Sequence, residues 1–88
     1  MQVLNYRIVV EKEDLEKGVV YVAYAPSLGV SDFGATVEEA VEHITEAITL
    51  YLETLIEMKK PLPEQDSDDY FVTTSRVEIS GYEQASFV

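Results

Sequence analysis

The chain has 88 residues, 47% of them hydrophobic, which gives room for one small layered core and not for two domains. Seventeen acidic residues against six basic ones leave a net charge of −11, a balance that repels a phosphate backbone and draws a basic protein. The absence of cysteine excludes disulfides, thiolate metal sites and cysteine nucleophiles, and no apolar run approaches the roughly 20 residues of a membrane span.

The opening stretch MQVLNYRIVV lacks the charged-then-apolar layout of a signal peptide, so a soluble cytoplasmic protein is expected. Leu4, Tyr6, Ile8 and Val10 alternate with Asn5, Arg7 and Val9, which predicts a first strand over residues 3–11. The charged run that follows, ending at Gly18, reads as a solvated turn longer than two residues. Residues 19–25 are rich in β-branched and aromatic side chains and predict a second strand, antiparallel to the first. Pro26 ends it, because proline lacks the N–H that a ladder needs. Ser27, Gly29 and Gly34 add turn character around a short third strand over residues 30–33.

Thr36-Val37-Glu38-Glu39 fits a capping box and starts a long helix. Val37, Ala40, Val41, Ile44, Ala47, Ile48, Tyr51, Leu52 and Leu55 recur at helical spacing, with Glu39, Glu42, Glu46, Glu53 and Glu57 opposite. Lys59 and Lys60 suit the negative end of its dipole and Pro61 and Pro63 forbid continuation, so the helix is placed at residues 37–59. Residues 62–69 form a loop carrying Glu64, Asp66, Asp68 and Asp69. Alternation returns over residues 70–79 and predicts a last strand. A tail, residues 81–88, carries Tyr82 and Phe87. The order describes one α+β domain over residues 1–80, a two-layer β-β-β-α-β unit with an antiparallel sheet and a helix on one face. The other face carries valines and aromatics, which marks it as an interface if nothing covers it.

Reactive groups are few. His43, the only histidine, sits at the edge of the apolar stripe between Glu39 and Ala47, the place of a boundary residue and not of a catalytic base beside a nucleophile. The helix glutamates read as a solvated surface. Asp66-Ser67-Asp68-Asp69 lacks the central Gly and terminal Glu of a calcium loop, and Gly29 and Gly34 form no phosphate cradle. Arg7, Arg76 and four lysines draw no basic stripe, so nucleic-acid binding is not expected. The chemistry points to a binding protein without enzymatic activity, metal or cofactor.

Three stretches resemble the HicB family of type II antitoxins: Tyr6-Arg7-Ile8-Val9-Val10-Glu11; then Tyr21-Val22-Ala23-Tyr24-Ala25-Pro26-Ser27-Leu28-Gly29-Val30; then Gly34-Ala35-Thr36-Val37-Glu38-Glu39-Ala40-Val41 with Glu46-Ala47-Ile48, the helix leaving through Leu62-Pro63. The resemblance covers about residues 6–63. It implies a partial RNase H-like β-β-β-α-β fold and a partner that is a small basic HicA-like toxin, an mRNA interferase whose active, RNA-binding surface the antitoxin masks. An acidic chain suits that task. The resemblance does not extend to a C-terminal DNA-binding module, since residues 70–88 read as a strand and a tail, and direct operator binding is not expected. On this reading Glu64, Asp66, Asp68 and Asp69 face the toxin, with the exposed helix glutamates as secondary contacts. Tyr6, Tyr24, Tyr82 and Phe87 are assigned to a homo-oligomer interface. The alternative is an orphan homo-oligomeric scaffold that has no toxin partner.

Overall fold

A computed structural model describes residues 2–84 and Ser86. Strands β1 (Val9–Leu15), β2 (Gly18–Ala25) and β3 (Val30–Gly34) precede one helix, α1 (Val37–Glu57). The strands form one antiparallel sheet in the order β1-β2-β3. The α+β class and its two layers are as the sequence predicts.

The first hairpin differs from the expectation in both its start and its tip. β1 begins at Val9 and runs on to Leu15, whose partner in the ladder is Gly18, so the connection is the two-residue turn Glu16-Lys17. Gly18 has φ +135°, a backbone state that favours glycine and lets so charged a segment reverse tightly. Glu11 and Glu13 stay in the strand because they point off the open face of the sheet, where water solvates them. Alternation therefore persists through the charged run, with a carboxylate in place of an apolar residue. Residues 2–8 lie outside the ladder.

Between β2 and β3 the amides of Leu28 and Gly29 both donate to the Ala25 carbonyl, at 3.1 and 2.9 Å. Two alanines of β2, Ala23 and Ala25, are fully buried beneath Ala40, Ile44 and Ile48 of α1. Small residues on both layers bring the helix close to the sheet. Tyr6, Ile8, Val10, Leu28, Val30 and Leu52 close the margins of this core. Burying Ile44 alone contributes roughly 1.5–3 kcal/mol.

The helix begins as predicted: the Glu39 amide donates to Thr36 Oγ1 at 3.0 Å. Just before it, Gly34 meets the helix backbone. A Cβ there would sit 2.6 Å from the Ala40 nitrogen and 2.8 Å from the Glu39 carbonyl carbon, so only glycine lets the first turn seat on β3. At the other end the Lys60 amide donates to Leu55 O and the Lys59 amide to Ile56 O, at 2.9 and 3.0 Å. This is a Schellman closure, and its left-handed residue is Lys59, at φ +56°, instead of the usual glycine. The helix thus stops at Glu57, short of the expected Lys59, and both lysines lie beyond its last turn.

The last strand of the expected β-β-β-α-β order is not formed. Residues 70–79 join no ladder, and Phe71, Val72, Val77 and Ile79 are 93%, 81%, 72% and 61% exposed. Their composition favours a strand, but a strand needs a neighbour, and among the described residues none pairs with this segment.

Candidate partner-binding surface

After the helix, Pro61-Leu62-Pro63 turns the chain back toward its own beginning. Tyr6 donates its hydroxyl to the Pro63 carbonyl at 2.6 Å. The Asn5 amide donates to Gln65 Oε1, and the Asp66 amide donates to the Asn5 carbonyl, each at 3.0 Å. Asp66 sits at the centre of this junction. One carboxylate oxygen accepts from the Arg7 amide at 2.7 Å, and the other accepts from the Ser27 hydroxyl at 2.5 Å and lies 3.6 Å from the Arg7 guanidinium. The Arg7 amide, first, and the Ser27 hydroxyl, next, hold the Asp66 carboxyl below its usual range, with a smaller contribution from the Arg7 charge against a desolvation penalty. Arg7 also donates to the Ser67 carbonyl at 3.1 Å and stacks over the Tyr70 ring, 3.1 Å from its centroid. Three points of the chain, around residues 7, 27 and 66, are thus clasped by one carboxylate and one guanidinium.

The clasp divides the four acids of the loop. Asp66 is turned into the chain, and its carboxylate is engaged there. Glu64, Asp68 and Asp69 are exposed. The Tyr70 amide donates to Asp68 O at 3.0 Å and the Asp69 amide to Ser67 Oγ at 2.9 Å, so the two aspartates stand on a tight local bend. The exposed glutamates of α1 add to the same negative field.

A second surface is the open side of the sheet. Val9, Val22 and Tyr24 with Glu11 and Glu13 line a shallow hollow of about 300 Å³. Leu15, Val20 and Phe33 line a neighbouring one of about 530 Å³. No element among the described residues covers this face. Glu11 and Glu13 on its rim were not among the residues expected to meet a partner; the period of two running on through Val9, Glu11, Glu13 and Leu15 is the signal that would have found them.

The residues assigned to an oligomer interface do not converge. Tyr6 is partly buried against the core with its hydroxyl committed to Pro63, whereas Tyr24 stands on the opposite, open face of the sheet. Tyr82 is exposed in a single 3₁₀ turn, Tyr82–Gln84. Phe87 lies outside the described residues.

His43 ties the helix to the sheet. Its Nδ1–H donates to the Phe33 carbonyl at 2.7 Å, and Nε2 lies 4.0 Å from Glu39. The Phe33 carbonyl, then the charges of Glu39, Asp32 and Glu46, raise its pKa against a desolvation effect that lowers it. The group therefore has a bonded structural place. Among the described residues no three His, Asp or Glu side chains are grouped to hold a metal ion, and no helix is long and apolar enough to cross a membrane.

A family model described as the HicB-like antitoxin of bacterial toxin–antitoxin systems matches residues 6–81. A UPF0150 protein of Synechocystis sp. is 47% identical over 66 residues, which span 74% of this chain and 80% of that protein. No solved structure gives a significant match.

Proposed function

This chain belongs to the HicB-like antitoxin family, and from that premise we propose that it binds a small basic toxin of the HicA-like mRNA interferase class and neutralises it by covering the surface that grips RNA. The work is binding and not catalysis. The observation that supports this reading is the set of carboxylates left free by the clasp, Glu64, Asp68 and Asp69, on a chain of net charge −11. An RNA-binding surface carries Lys and Arg placed for phosphates, and carboxylates displayed on a short hydrogen-bonded bend offer it the same charge at similar reach. Asp66 has a different task in this scheme: it fixes the base of the display. The helix glutamates extend the field that speeds encounter.

The test is the association of the toxin with the Glu64→Lys, Asp68→Lys, Asp69→Lys triple variant, followed by stopped flow across a salt series. The association rate is expected to fall at least roughly tenfold at low salt and to lose most of its salt dependence. An unchanged rate with an unchanged salt slope removes this loop from the interface. A pull-down at mild salt from the native cells identifies the partner; recovery of the protein alone would favour the scaffold reading instead.

A further inference from the structure

The two faces of the sheet differ. One is closed by α1 over Ala23 and Ala25. On the other, Val9, Leu15, Tyr24 and Phe33 are each at least 40% exposed. The ladder explains why they meet. Val9 pairs with Tyr24, Glu11 with Val22 and Glu13 with Val20, and Val22 pairs onward with Phe33, so these side chains share one face. The two shallow hollows on this face, of about 300 and 530 Å³, have Glu13 and Val22 in common and form one track along the strands. Its charged lining is Glu11, Glu13 and Asp32, without a lysine or an arginine. Among the described residues neither Glu11 nor Glu13 has an ion-pair partner. An apolar strip this bare marks a binding surface, and the carboxylates beside it set the charge of what it binds.

We propose that this track is the docking site for a basic amphipathic helix of a second protein, one whose apolar stripe is flanked by Lys or Arg one turn apart. The spacing agrees. Glu11 and Glu13 stand two residues apart on a strand, about 6.8 Å, and positions i and i+4 of a helix are about 6.0 Å apart along its axis. The length agrees as well. The seven residues of β1 span about 24 Å, the length of a helix of about 16 residues. A single track receives one rod, as the covered face receives α1. A second copy of this chain does not fit the site. Its helix carries six glutamates and no lysine or arginine, and would set carboxylates against Glu11 and Glu13. Two open faces pressed together would oppose the same like charges. The track is separate from Glu64, Asp68 and Asp69, so the proposal does not rest on what that loop binds.

The test is a nuclear magnetic resonance titration of the full chain at low salt with three synthetic peptides of about 18 residues, five helical turns each. The first has a leucine stripe flanked by lysines at i and i+4. The second has glutamate for lysine, and the third is the first with its order scrambled so that the stripe is lost. The lysine peptide is expected to shift the amides of Val9–Leu15, residues 20–24 and Phe33, and to bind at least about tenfold more tightly than either control. Glu11→Gln with Glu13→Gln should weaken it about tenfold, and Phe33→Ser by a similar factor. The Glu64→Lys, Asp68→Lys, Asp69→Lys variant should change it by less than about threefold, since those charges lie off the track. All the substituted side chains are exposed, so helical circular dichroism should be unchanged throughout. A lysine peptide that does not bind, or binds no better than its scramble, overturns the proposal. So does a shift pattern centred on α1 or the acidic loop, or full affinity in the double glutamine variant. Resonances of the open face that move when the protein alone is diluted would give the face to a second copy and overturn it too. No toxin is present in any of these measurements, so their failure leaves the toxin reading untouched.

Discussion

β2 and the arm, residues 70–79, are written in the same alphabet. Val19, Val20, Tyr21, Val22 and Tyr24 have their counterparts in Tyr70, Phe71, Val72, Val77 and Ile79, and both segments alternate. β2 lies between two strands and under a helix, with Ala23 and Ala25 wholly buried. The arm has no ladder and leaves Phe71 almost fully bare. The contrast teaches that strand propensity records how well a side chain fits a neighbouring surface, and is silent until that surface is supplied. β2 receives its neighbours within ten residues on either side. Residues 70–79 receive none among the described residues.

The largest expected effect sharpens this contrast. Ile44→Ala is predicted to cost about 2–5 kcal/mol at every protein concentration, because its cavity opens inside the protomer. Phe71→Ala is predicted to cost less than about 0.5 kcal/mol, because its side chain is 93% exposed. Urea unfolding measures both, and equal costs would break the comparison. Next comes Gly34→Ala, at about 1–3 kcal/mol by calorimetry, because the added carbon meets backbone that cannot yield without lifting the helix. Lys59→Gly should raise stability by about 0.5–1 kcal/mol, seen as a higher urea midpoint, by relieving a left-handed lysine.

The smallest effects are pH slopes. The folded pKa of Asp66 lies below its ordinary 3.8, so the stability it adds is complete above that value and is lost as pH falls through the folded one. Asp66→Asn should flatten the acid side of the stability profile. The folded pKa of His43 lies above 6.5, so its contribution is complete below 6.5 and is lost as pH rises through the folded value. His43→Gln should remove that decline and leave the acid side unchanged.

Much of the fold could be read from the chain because its signals are local. The Thr36 cap, the apolar stripe from Ala40 to Leu52 and the proline after β2 each act within a few residues. The extent of β1 was hidden because Glu11 and Glu13 face water, and a charged run resembles a loop until its partner is known. The engagement of Asp66 was invisible for a different reason. Its partners, Arg7 and Ser27, are 59 and 39 residues away, and nothing in the sequence of the loop distinguishes it from Asp68. The missing last strand is the complementary case, since its local signal is sound and no described strand pairs with it.

The close approach at Gly34 has a consequence for motion. The helix is clamped to β3 at its first turn and progressively loses cover along the buried stripe, from Ile44, fully enclosed, through Ile48 and Leu52 to Ile56, 60% exposed. It behaves as a beam held at one end. Local opening should therefore start at the free end, and amide exchange should quicken turn by turn toward Glu57 while the amides near Ile44 open only with the whole molecule. Anything seated beneath the free end would slow the clock of those last turns without adding a single helical residue, so exchange there reports occupancy where circular dichroism is blind.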